Sequence, residues 1–77
     1  MTDQEIIEYA IVGINYSISR LQGRIDLALR YIADIEDGKQ VITKKTIPEL
    51  YGVIAEKELQ IETLEERKFE LEMRLND

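Results

Sequence analysis

Carboxylates, ammoniums and guanidiniums dominate the side chains of this sequence that could do chemistry, with histidine and cysteine both absent. Imidazole bases, thiolate nucleophiles, disulfides and the usual zinc sites are thereby excluded together. The densest cluster is acidic, with Glu58, Glu62, Glu65, Glu66 and Glu70 in "ELQIETLEERKFELE". Carboxylates at this spacing could ligate a divalent ion, but a paired-metal helical site also wants histidines, and a solvated helix face holds such ions poorly. The same ridge could mimic nucleic-acid phosphate. Its plainer role is helix-surface charge balance, through pairs such as Glu65 with Lys68 and Glu70 with Arg74, each worth ~0.2 to 0.5 kcal/mol. No metal site and no cofactor is expected.

The cations offer three further possibilities. Lys39, Lys44 and Lys45 gather in one short segment, where they could meet an anion; with no aromatic or arginine among them they make a weak nucleic-acid signal. Lys57 and Lys68 interrupt an apolar pattern, described below. In "LQGRIDLALRYI", Arg24, Ile25, Asp26 and Arg30 resemble the first helix of the all-helical chorismate mutases. That resemblance covers about a dozen residues and implies a dianion held by buried Arg and Lys, rearranged by electrostatics alone. The chain departs from the family in lacking its third helix. There is no Gly-rich phosphate loop and no nucleophile elbow, and the paired carboxylates lie on helix faces where nothing raises a pKa. The expected protein is not an enzyme.

Two long elements must carry these groups. Thr2 with Glu5 three residues later forms a capping box, the signature of a helix start. From there Ile7, Ile11, Ile14, Ile18, Leu21, Ile25, Ala28, Ile32 and Ile35 recur in alternating steps of four and three. A strand needs a period of two that this run does not keep. Asp37 and Gly38 close the segment, glycine being suited to the left-handed residue past a helix end. Helix 1 is predicted over 3–37 and a loop over 38–46. Thr46, Pro48 and Glu49 open helix 2, predicted over 47–76. Its seam is Ile47, Leu50, Ile54, Lys57, Ile61, Leu64, Lys68, Leu71 and Leu75.

Two such seams joined by a short loop predict an all-α fold: one domain, 1–77, folded as an antiparallel two-helix coiled-coil hairpin. If Ile35 pairs with Leu50 and Leu21 with Leu64, Lys57 falls beside Ala28 and Lys68 near Ile18. A lysine beside a small seam residue can lay its methylenes on the core and send its ammonium to water, setting the register. Val41 and Ile42 are expected to tuck against the hairpin end.

The seams leave apolar surface over. Ile6, Tyr9, Val12, Gly13, Tyr16, Arg20, Gly23 and Leu27 project away from the seam of helix 1, and Tyr51, Ala55, Leu59, Phe69 and Met73 away from that of helix 2. One partner helix cannot cover both sides, and an extended apolar patch usually marks a contact surface. The glycines sharpen the point, since each costs ~1 kcal/mol relative to alanine inside a helix unless something must approach closely. A second copy is the simplest cover, giving a homodimeric four-helix bundle with Tyr9 and Tyr16 as anchors. A groove or amphipathic helix of another protein would fit the same stripe.

Chain length points the same way. With 77 residues a single core rarely yields more than about 3 to 5 kcal/mol without a staple or a second subunit. The net charge of −6 argues against unspecific nucleic-acid binding. In plan and length the chain resembles the plasmid copy-number Rop family, which would imply a dimer gripping paired RNA loops along a helix face; no diagnostic stretch aligns, and the face in question, with Tyr9, Tyr16, Arg20 and Arg30, overlaps the apolar stripe. No signal peptide is visible after Met1, and Glu8, Asn15 and Arg20 interrupt the one apolar stretch short of a membrane span. The expectation is a non-catalytic, cytoplasmic protein-protein interaction module: a small adaptor, inhibitor or regulator of another macromolecule.

Overall fold

The computed structural model describes residues 1–76 and consists of two helices, α1 (Asp3–Glu36) and α2 (Ile47–Leu75), packed against each other as a hairpin. The periodicity predicts 3–37 and 47–76; each helix ends one residue sooner, at Asp37 and Asn76, which serve as C-caps. The molecule is a rod of 54 × 18 × 15 Å.

Both starts are built by reciprocal capping. The Glu5 N–H donates to Thr2 Oγ1 at 3.2 Å while the Thr2 N–H donates to Glu5 Oε1 at 3.4 Å. In α2 the Glu49 N–H donates to Thr46 Oγ1 at 3.3 Å, and both the Thr46 hydroxyl (2.9 Å) and the Thr46 N–H (3.3 Å) donate to Glu49 Oε1. Two amides that a helix start would otherwise leave without partners are thus satisfied at each end. The donated hydrogen bonds from the Thr46 hydroxyl and then its N–H hold the Glu49 carboxyl below the ordinary glutamate range, Lys45 adding a smaller attraction.

α1 ends through Gly38, whose φ of +75° is the left-handed conformation glycine adopts without steric cost. The Gly38 N–H donates to the Ile35 carbonyl at 3.0 Å and the Lys39 N–H to the Asp34 carbonyl at 2.9 Å, the paired bonds of a Schellman stop. Such stops often carry an apolar contact between the two outer positions. Here Lys39 and Asp34 occupy them, and their side chains approach to 4.0 Å as an ion pair.

Between these ends every seam position on both helices is buried or half-buried. The fully buried cluster is Ile25, Ala28, Ile32, Leu50 and Ile54, with Tyr31, Ile35, Ile47 and Ile61 packed around it. Leu21 and Leu64 line one groove, and Ala28 and Lys57 another, so the register is the one that puts the lysine beside the small residue. Burial is uneven along the rod. The cluster occupies the loop half, where Tyr31, Ile35 and Ile47 pack against it and Thr43 lines the groove beside Ala28 and Leu50; toward the open end Ile7, Ile11, Ile18, Leu64, Leu71 and Leu75 are only half-covered.

Two expectations need correction. Ile42 does not tuck against the hairpin: it is 92% exposed while its neighbours Val41 and Thr43 turn inward. Consecutive loop side chains in an unhelical backbone point to opposite sides, so only one of Val41 and Ile42 can face the core. Lys68 pairs with Glu72 at 3.8 Å, one turn onward, and not with Glu65. Nor is Glu70 paired with Arg74 among the described residues, where the ion pairs are Lys39–Asp34 and Lys68–Glu72. Lys68 starts from the seam, and its ammonium meets Glu72 on the way to water.

Two measurements test this account. Thr46→Ala should lower stability by about 1 kcal/mol, read from thermal or urea melts, with the loss centred on the first turn of α2 in amide exchange. For Glu49 the folded pKa is depressed, so its contribution is complete above the unfolded value and disappears as pH falls through the folded one. Glu49→Gln should therefore remove part of the stability loss seen on acidification below about pH 4.3, and an unchanged acid limb would contradict the assigned hydrogen bonds.

Candidate interaction surfaces

The stripe predicted on α1 is exposed along its whole length: Ile6, Tyr9, Val12, Gly13, Tyr16, Arg20, Gly23 and Leu27 all face water. α1 positions them through its period alone, since side chains three and four apart share a face while the seam occupies the opposite one. Tyr9 and Tyr16 are 66% and 65% exposed, values far above those of any seam residue. The Arg20 guanidinium sits over the Tyr16 ring at 5.9 Å from its centroid, one turn apart, an exposed cation–π contact that holds both side chains in one orientation. On α2, Tyr51, Leu59, Phe69 and Met73 are exposed as well.

These residues are not spread evenly. Ile6, Tyr9, Val12, Tyr16, Phe69 and Met73 all belong to the open half of the rod, where the seam itself is thinly covered. The same end of the molecule therefore combines incomplete burial inside with apolar side chains outside.

Glycines add an independent observation. A Cβ built at Gly13, Gly23 or Gly52 meets no atom within 4 Å, so nothing inside the hairpin requires a glycine at any of the three. Gly13 and Gly23 lie on the α1 stripe, and Gly52, which the sequence argument passed over, lies away from the seam of α2. The signal for it was the same as for the other two: a glycine in a helix interior.

The three tip lysines do not form one site. Lys39 is engaged with Asp34, Lys44 is exposed, and Lys45 lines a groove between the helices together with Arg24 and Lys57. Its position is set by a loop turn in which the Lys45 N–H donates to Thr43 Oγ1 at 3.2 Å. Lys57, half-buried at the seam, thus joins a charge cluster that sequence spacing did not connect to the loop.

The acid ridge of α2 is exposed, with Glu62, Glu65, Glu66 and Glu70 ranged around the Phe69 ring in a shallow surface depression. Among the described residues no group of three or more carboxylates converges closely enough to hold a metal ion, and no polar or charged side chain is buried. No described helix is long and apolar enough to cross a membrane. Comparison of the chain with protein-family models, curated proteins and solved structures finds no match.

Gly13→Ala and Gly23→Ala separate the two roles a surface glycine can have. With open space at each Cβ, both substitutions should stabilise the isolated hairpin by ~0.5 to 1 kcal/mol in dilute thermal melts. If the stripe is a close-packed contact, the same variants should weaken association at higher concentration. A variant that neither stabilises nor weakens would remove the glycines from the argument.

Proposed function

We propose that this chain is a non-catalytic protein-protein interaction module, a homodimeric helical hairpin acting in the cytoplasm as an adaptor, inhibitor or regulator of another macromolecule. The observation that carries the reading is the amount of surface a single hairpin leaves in water. Its accessible area is 6050 Å² at 9.0 kDa, against roughly 4,850 Å² for a compact monomer of that mass. The radius of gyration, 16.9 Å, compares with about 11.5 Å for a compact domain of this length.

The excess, roughly 1,200 Å², exceeds the ~800 Å² that each partner of a standard interface buries. Part of it is apolar and lies on one stripe with its own rigid aromatics. Tyrosine suits such a role because its ring supplies area at small entropic cost while the hydroxyl can stay wet at the rim. A second copy laid along the open half would bury Tyr9, Val12 and Tyr16 on the face of α1 that α2 leaves uncovered. That no described ionisable side chain is fully buried, Tyr31, Asp34, Lys57 and Lys68 being half-buried and the rest exposed, supports the non-catalytic part, because an acid–base or electrostatic site needs groups held in a water-excluded setting.

Sedimentation of the full chain at micromolar concentration should give a dimer, and Tyr16→Asp should weaken it at least about tenfold by placing an unpaired charge in the contact. Retained helical circular dichroism would show that the hairpin itself survives. Wild-type protein that sediments as a monomer throughout the micromolar range would defeat the dimer; a single macromolecule captured from native lysate by the wild type and lost in Tyr16→Asp would still uphold the contact surface.

A further inference from the structure

One side of the hairpin carries an excess of positive charge that the composition opposes. Sixteen acidic residues face ten basic ones in the whole chain, yet two adjoining grooves between the helices are lined by cations and by no acid. The first holds Arg20, Arg24 and Lys57 beside Ser17 and Leu21. The second holds Arg24, Lys45 and Lys57 over a floor that includes Leu27, Ala28, Tyr31 and Val53. Arg24 and Lys57 belong to both, so the grooves adjoin at these two cations in one channel-like strip. From Ser17 to Tyr31 it runs about 20 Å at the rise of an α-helix.

Inside the hairpin these cations meet only the Tyr16 ring under Arg20 and a weak attraction of Lys45 for Glu49, neither of which neutralises the strip. Arg20 and Arg24 are one turn apart on α1, where like charges repel and weaken the helix. Lys57 reaches the same place from the seam of α2, and Lys45 from the loop. Among the described residues none of the four takes part in an ion pair. Glu56 and Glu58, the acids on either side of Lys57, are exposed and line neither groove.

We infer that the channel formed by Arg20, Arg24, Lys45 and Lys57 is a docking site for a short acidic amphipathic helix of a partner protein. This rests on the interaction-module reading and names the chemistry of its partner. Charge complementarity sets the sign: carboxylates spaced one turn apart on the incoming helix match Arg20 and Arg24, and others match Lys57 and Lys45. The apolar floor sets the class, since Leu21, Leu27 and Val53 offer nothing to a phosphate backbone but suit the apolar face of a third helix laid between two. Tyr31 is half-buried against the core, so its ring is not presented for base stacking.

The test uses the full chain and a fluorescein-labelled synthetic helix of about fifteen residues, with glutamate at one-turn spacing on one flank and leucine on the other. Anisotropy should report binding that weakens about tenfold or more between about 50 and 300 mM NaCl. Arg24→Glu with Lys45→Glu, both at exposed positions, should reduce it by at least a further tenfold with an unchanged melting curve, while Lys39→Glu with Lys44→Glu should leave it within about twofold. A peptide with serine for leucine should bind clearly more weakly. Sedimentation of the same samples separates this inference from the dimer: peptide binding retained in Tyr16→Asp supports a site independent of self-association.

Four results would overturn the assignment. They are no binding at about 100 μM peptide, equal loss in the Lys39/Lys44 variant, equal binding of the serine peptide, and tighter binding of a single-stranded oligonucleotide of the same charge. Loss of self-association in Arg24→Glu with Lys45→Glu would also overturn it, by making the acidic flank of a second copy the occupant.

Discussion

Two helices lying side by side can hide only one stripe of each, and this limit shapes the rest of the molecule. The eighteen seam positions are all spent on the mutual contact, and even so full burial is reached only by Ile14 and by the cluster around Ile25, Ala28, Ile32, Leu50 and Ile54. A two-helix layer has no third element to close its flanks, so each seam side chain remains open on one side unless a ring or loop leans over it. In the loop half Tyr31 packs on the cluster and Thr43 lines the groove beside it. In the open half only Ile14 is fully buried, and Tyr9, Val12, Tyr16 and Phe69 are exposed there, while Tyr51 is exposed in the loop half.

The chain ends and the turn manage the polar side of the same problem. Helices of 34 and 29 residues expose unsatisfied amides and carbonyls only at their ends, and both starts use the same threonine–glutamate exchange. The stop of α1 is built from backbone bonds at Gly38, and the Lys39–Asp34 pair takes the place of an apolar clasp. That substitution keeps the tip polar. It also places Lys39 on Asp34 and leaves Lys45, still exposed, at the edge of the groove with Arg24 and Lys57, which divides three neighbouring lysines between two environments.

Much of the fold was legible because its determinants are local or periodic. The capping pairs sit three residues apart, and the four-three alternation is the footprint of a helix face whatever it packs against. The pairing of Lys57 with Ala28 follows from setting Ile35 against Leu50 and Leu21 against Leu64, which brings one of the two seam lysines beside the one small seam residue. Ile42 was misread because apolar character says that a side chain would gain by burial, not that the loop backbone can aim two adjacent side chains the same way. Lys68 was assigned to Glu65 because sequence spacing offers acids on both sides of it, and only the path of the side chain out of the seam selects Glu72.

Sequence alone determined the helices, their limits to within a residue, the seam and the existence of a surplus apolar stripe, because each depends on contacts within one or two turns. Tertiary structure decided which half of the rod is poorly covered and which charges meet. Arg24, Lys45 and Lys57 come from α1, the loop and α2, and their convergence depends on the register of the hairpin and on which flank of the seam each occupies. No local pattern encodes that, since a shift of one turn between the helices would leave every capping box and every periodicity intact while sending the three cations to different grooves.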